Sequence, residues 1–219
     1  IKPASSLCNL RCEYCFYQDV SQISEEHNLG IMSAETSDRL IKSALSFAKG
    51  DSVAFAFQGG EPLLAGIDYF RDFAERVKKY NLRGSRIFFS IQTNGLLIDE
   101  QWARFFHDEH FLVGLSLDGD MEANRFRVDS NGTNRFYKIL NAAQMLTMPE
   151  VDFNILTVLT GYSAETIDRF YSFFKRKGFK YLQFIPCLPP FGDKSESELY
   201  MTNDTYAYLL EHQFNAIIK

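Results

Sequence analysis

Apolar residues follow two alternating rhythms along the chain. Short runs rich in Phe, Val, Ile and Leu, with few charges, occupy 53–57, 86–93, 111–117, 151–159 and 181–186. Continuous rather than alternating apolarity predicts parallel strands covered on both faces. Between the runs, apolar residues recur at helical spacing. Leu40, Ile41, Ala44 and Leu45 form a stripe that Ser33 is placed to cap and Gly50 to stop. Further stripes are Phe70, Phe73, Ala74 and Val77, then Trp102, Phe105 and Phe106, then Phe136, Ile139, Leu140 and Ala143. A fifth joins Ile167, Phe170, Tyr171 and Phe174, opened by Ser163 and closed by Gly178, and a sixth joins Tyr206, Leu209, Leu210 and Ile217.

With Ile1-Lys2-Pro3 as the end of a first strand, strand and helix alternate through six units. That order demands parallel strands joined by right-handed crossovers, in a doubly wound sheet or in a barrel. Periodicity does not separate the two. No Gly/Ser-rich linker interrupts the pattern, so residues 1–219 read as a single domain. The longest irregular stretch, 16–32, follows a cluster of cysteines directly and is a candidate functional loop.

Composition narrows the class. At 46% hydrophobic and 23% charged residues the chain is ordinary globular protein, and 21 Phe with 11 Tyr make rings a large share of its core. A net charge of −5, with no basic run longer than Lys175-Arg176-Lys177, weighs against nucleic acid as a partner. No apolar run has membrane length and no signal-peptide layout opens the chain, so a cytoplasmic protein is expected. The chain starts at Ile1 in an apolar-flavoured segment and stops at Lys219 within a helical pattern, as a fragment would. Four cysteines, three of them within eight residues, suggest a metal site rather than a disulfide framework.

Those three are Cys8, Cys12 and Cys15, with spacing C-x3-C-x2-C in a polar loop. Three thiolates can hold three irons of a cubane and leave the fourth iron open to a ligand. Zinc would need a fourth ligand, for which His27 and Cys187 are the candidates. Polar residues then gather where the apolar runs end. Gln58-Gly59-Gly60-Glu61-Pro62 follows the first run; its glycines permit close backbone approach, and its carboxylate can accept from an ammonium group. Gln92-Thr93-Asn94-Gly95 and Ser116-Leu117-Asp118-Gly119 end the next two. Asn-Gly and Asp-Gly are turn dipeptides, while Gln92, Asn94 and Ser116 are free to face a cavity at the strand ends. Asn154 and Gln183 are polar interruptions that either line the same cavity or are satisfied core amides.

The cysteine spacing, with aromatic Tyr14 just before Cys15, resembles the signature of the radical S-adenosylmethionine (SAM) superfamily. That resemblance implies an α/β fold, a partial (β/α)6 TIM-like barrel, and breaks the tie between sheet and barrel. It implies a [4Fe–4S] cluster on Cys8, Cys12 and Cys15, to which SAM binds and is reductively cleaved to a 5′-deoxyadenosyl radical. Gly59, Gly60 and Glu61 match the motif that binds the SAM amino group, and Tyr14, Gln92, Asn94, Ser116 and Arg127 match or adjoin other cofactor contacts. Arg127 is preferred to Arg125 because Arg-Val-Asp fits the family spacing, although relatives carry a His where this chain has Ala123-Asn124.

The wider runs 1–8, 55–62, 112–119 and 182–185 are similar to the anaerobic sulfatase-maturating enzymes. The resemblance implies oxidation of a Cys or Ser of a sulfatase to formylglycine, with Tyr17 and Gln58 near the peptide. The partners implied are that sulfatase or another peptide and an electron donor such as flavodoxin or ferredoxin. Cys187, at the end of the last predicted strand, is expected to face the barrel mouth by alternation from Gln183. Full-length relatives continue into a domain with auxiliary clusters and a catalytic Asp, outside these 219 residues. The alternatives are a related enzyme forming thioether or carbon–carbon crosslinks in a peptide, and a cluster-bearing module without radical chemistry.

Overall fold

The structure is a computed structural model describing residues 1–17, 28–189 and 197–217, with 164–165 and 212–217 as backbone only. Five strands form one sheet: β1 (Val53–Phe57), β2 (Ile87–Thr93), β3 (Phe111–Ser116), β4 (Phe153–Leu159) and β5 (Leu182–Pro186). Their spatial order is their chain order and every pair is parallel. A doubly wound sheet reverses direction at a switch point. This one never does, so right-handed crossovers put the helices on one face and the sheet curls into a half-barrel. Ile1, from the expected first strand, lies along the outer edge of β1, its N–H donating to Ala56 (2.7 Å) and its carbonyl accepting from Gln58 (2.9 Å).

The helices are α1 (Ala34–Ala48), α2 (Ile67–Tyr80), α3 (Glu100–Asp108), α4 (Phe136–Thr147), α5 (Gly161–Glu165), α6 (Ile167–Lys177) and α7 (Asn203–Ile217). Ser33 caps α1 as expected, accepting from the Thr36 N–H. The expectation that Ser163 opens the fifth helical stripe is corrected. Thr160 caps a separate short helix, α5, and Ser163 lies inside it as the donor to Thr160. Gly178 closes α6 in the left-handed conformation, φ 74°. Among the described residues no helix is long and apolar enough to cross a membrane.

Side chains alternate across the strands. Val53, Phe55 and Phe57 of β1 point into the helix layer, as do Phe89, Ile91, Val113, Leu115, Ile155 and Leu159. Rings fill that layer: Phe57 meets Phe70 and Phe73 at 5.0 Å, edge to face, and Phe89 stacks on Phe111 at 5.0 Å. The other face is the concave one. Its small and polar positions, Gln92, Gly114 and Ser116 on neighbouring strands, leave room for a ligand near the strand C-termini, where barrel enzymes place their chemistry.

Candidate active site

The cysteine loop lies over the C-terminal end of the sheet, bonded to the segment that follows β3. The Arg11 N–H donates to Val128 (2.7 Å), the Glu13 N–H to Phe126 (3.0 Å), and the Cys15 N–H turns back to Cys12 (3.0 Å). Leu10 and Cys12 are buried and anchor the loop in the core, whereas Cys8 and Cys15 are partly exposed. All three thiols are free. Burial pushes the Cys8 thiol up, and pushes Cys12 up to about 11 against the pull of the nearby Arg127 guanidinium. Among the described residues no three His, Cys, Asp or Glu side chains converge on one point as a single metal ion requires; His27 lies outside them.

Beneath the loop, Gly59 to Glu61 explain their own composition. A Cβ on Gly60 would stand 2.3 Å from the Leu7 carbonyl oxygen, and Gly60 has φ 57°. A Cβ on Gly59 would meet the Lys2 stem at 2.8 Å. Both glycines therefore admit the segment leading into the cysteine loop, and the Glu61 N–H seals the contact by donating to Leu7 (2.7 Å). Glu61, 1% exposed, accepts from the Leu63 N–H (3.0 Å), the Thr93 hydroxyl (2.8 Å) and the Asn94 N–H (2.8 Å). Burial still drives its carboxyl upward. Glu61 thus ties β1's end to β2's end. Of about four acceptor positions on a carboxylate, one on Oε2 remains.

Other predicted residues converge on the same place. Gln92 donates to the Ser116 hydroxyl (2.8 Å), and a Cβ on Gly114 would strike Gln92 Oε1 at 2.3 Å, so Gly114 makes room for that amide. The Asn94 amide donates to Asn9 (2.7 Å) and lies 3.9 Å from the Cys8 sulfur. Asn154 pairs with Gly114, and Gln183 with Leu156, on the concave face. Tyr17 carries Lys2 over its ring at 4.6 Å, and Gln58 is exposed beside Ile1.

Cys187 closes the last strand. It sits at the strand end, its N–H donating to Leu159 (2.8 Å), but it is only 7% exposed. Burial first, then the Asp118 charge, push its thiol to about 11. The thiol is thus enclosed, yet within reach of the Asp118 charge at the strand ends.

Sequence reasoning missed the residue at the centre of the site. Asp118, 1% exposed, accepts from Arg127 Nη2 (2.8 Å) and the Val158 N–H (3.0 Å) through Oδ1, and from the Tyr14 hydroxyl through Oδ2. Asn124 accepts from its backbone N–H (3.2 Å). Arg127, buried, reaches within 4.0 Å of the Cys12 sulfur with Nη1, while its Nε has no partner. Arg125 is instead half-buried and bridges Glu122 and Glu198. Gly119, φ 127°, hid the clue: it fits a turn, yet its missing Cβ would meet Phe170 and Ala123 within 3 Å, so it serves packing too.

The loop, the glutamate clamp and the buried arginine can be set beside known proteins. The chain is 48% identical to a cysteine-type anaerobic sulfatase-maturating enzyme of Clostridium novyi over 204 residues, covering 93% of this chain and 54% of that protein. It is 42% identical to the enzyme of the same name from Clostridium perfringens strain 13, covering 98% of this chain and 58% of the relative. The chain thus spans little more than half the length of these curated relatives. Among solved structures, native anSMEcpe with bound AdoMet superposes with TM-score 0.92 at 42% identity, over 98% of this chain and 59% of that one. The same protein with AdoMet and the Cp18Cys peptide gives 0.89 over 98% and 57%. The sequence model of the radical SAM superfamily matches residues 3–174, from the cysteine loop through α6's apolar face, and this chain belongs to that superfamily.

Proposed function

We propose that this chain is the catalytic barrel of an anaerobic sulfatase-maturating enzyme, oxidising a Cys or Ser of a sulfatase to formylglycine. The observation that carries the reading is one buried assembly at the strand ends. It joins the three-cysteine loop, the Glu61 clamp and Arg127 with its unpartnered Nε. The donor set fits a [4Fe–4S] cluster and SAM. Three free thiols on one loop suit three irons of a cubane. Nε of Arg127 and the last acceptor position of Glu61 suit a carboxylate and an ammonium group respectively.

Cys8, Cys12 and Cys15 would hold the cluster. Tyr14, Gly59, Gly60, Glu61, Gln92, Asn94, Ser116 and Arg127 would surround SAM. A reduced cluster with SAM bound to it would supply one-electron chemistry able to oxidise the target side chain at its β-carbon. The protein's own part is placement. Gln92 orients the Ser116 hydroxyl on the concave face, and Asp118 fixes Arg127 and Tyr14. Tyr17 and Gln58 would lie near the peptide. The curated relatives' names and the peptide-bound structure at 42% identity support a sulfatase peptide as substrate. The electron would come from a small redox protein such as flavodoxin or ferredoxin. Free cysteines fit a reducing cytoplasm.

The test is mass spectrometry of sulfatase-derived peptides, one with Cys and one with Ser at the target, after anaerobic incubation with reconstituted protein, SAM and reductant. Conversion of either to formylglycine is expected. SAM cleavage accompanied by a thioether or carbon–carbon crosslink would replace the reading with a peptide-crosslinking one.

A further inference from the structure

We propose that the buried Asp118–Arg127 pair sets the reduction potential of the cluster, Arg127 raising it from beside Cys12 and Asp118, a positioning residue, lowering it while fixing where Arg127 stands. This rests on the reading that the three cysteines carry a [4Fe–4S] cluster. Asp118 is well placed because it touches three parts of the fold at once. Oδ1 binds Arg127, which follows the 3-10 turn Ala123–Phe126, and the β4 backbone at Val158; Oδ2 binds Tyr14 of the cysteine loop. Both members of the ion pair are buried, at 1% and 6% exposure, so their fields are weakly screened.

The two charges act on a cluster in opposite senses. Arg127 Nη1, 4.0 Å from the Cys12 sulfur, favours the more negative reduced form and raises the potential. Charge and hydrogen bonds near the sulfurs are among the protein's principal levers on such potentials. Asp118 offsets that cation while fixing where it stands. Arg11 also lies on the loop, but its guanidinium is exposed and turned to the carbonyls of Cys8 and Leu10. Glu61 is buried nearby and acts on Cys8 and, through its charge, on Arg127. Arg127 is thus the buried cation nearest a ligand sulfur among the described residues, and Asp118 is its only ion-pair partner there.

The experiment is an EPR-monitored redox titration of anaerobically reconstituted protein without SAM, for parent, Asp118→Asn, Arg127→Gln and Arg127→Lys. Asn keeps the shape: its oxygen can still accept from Arg127 and Val158, and the Tyr14 hydroxyl can accept from its amide. With four irons bound, Asp118→Asn is expected to shift the midpoint upward and Arg127→Gln downward, with Arg127→Lys between Gln and parent. A merely structural role would not move the two charge-removing variants in opposite directions. Unchanged potentials, or shifts of the same sign, overturn the proposal. Should Asp118→Asn fail to fold, the Arg127 pair decides: Gln equal to parent, or Lys no closer to parent than Gln, overturns it. A parent protein that takes up no iron instead sinks the cluster reading.

Discussion

The helix-facing side of the strands and their C-terminal end are stabilised by different means. Toward the helix layer, β1 to β3 bury Phe55, Phe57, Phe89 and Phe111 against Phe70, Phe73, Trp102 and Phe106, rings that meet at 5.0 to 6.5 Å. At the strand C-termini the buried groups are Glu61, Thr93, Asn94, Asp118, Asn124 and Arg127, each with specific partners. Ring contacts are many, weak and mutually replaceable, so loss there is graded. The polar end is a set of single connections in a low-dielectric setting, where one wrong group leaves another unpaired. The ring layer holds the sheet, and the polar end holds the site. Damage to each should therefore read out differently.

The largest expected effect isolates the site. Cys12→Ala should lower iron from about four per chain to almost none. The fold by circular dichroism should persist, because Cys12 fills little core volume. Iron analysis after anaerobic reconstitution checks this. Phe57→Ala should do the reverse. It removes a ring 1% exposed and should cost about 3–5 kcal/mol in denaturant unfolding. Iron per folded chain should stay as in the parent.

Glu61→Gln probes the boundary between the two regions. Its amide would face one of three protein donors, so stability should fall by about 1–3 kcal/mol, less than for Phe57. SAM affinity, followed by titration, should fall roughly ten- to hundredfold because the charge toward its ammonium is lost. A Glu61→Gln protein with full stability and weakened SAM binding would mean that the clamp is dispensable.

The smallest effect concerns Cys187 in the apo protein. Its folded-state thiol is raised to about 11, so it favours the native state fully below the usual thiol value near 9. That contribution is lost as pH rises through about 11. Cys187→Ala should therefore flatten the alkaline fall in stability by roughly 1 kcal/mol at pH 10, and parent Cys187 should alkylate as slowly as a buried thiol. Rapid alkylation would show a thiol open to the cavity.

Strand positions were legible because charge-poor runs bounded by turn residues admit few other readings; β1 falls at 53–57 as expected. The curl into a half-barrel was not, because a switch in strand order leaves no mark on local periodicity. The resemblance in the cysteine loop supplied that answer. Cys8, Cys12, Cys15, Gly59, Gly60 and Glu61 were legible from spacing, yet what the glycines make room for was not. Their neighbours Lys2 and Leu7 lie more than fifty residues away in the chain. Asp118 was hidden for the same reason. Asp-Gly reads as a turn, and the Tyr14 hydroxyl that reveals its role is 104 residues distant. Thr160 took the cap predicted for Ser163 because two hydroxyl residues three apart suit a helix start equally well.

The central claim is that the strand ends form a prebuilt cluster-and-SAM site. Its most direct test is one anaerobic assay on reconstituted protein: iron per chain, with 5′-deoxyadenosine released from SAM under strong reductant. The account predicts about four irons and release of deoxyadenosine, both absent in Cys12→Ala. Tightly held zinc with no iron uptake, or a full cluster that leaves SAM intact, would contradict it.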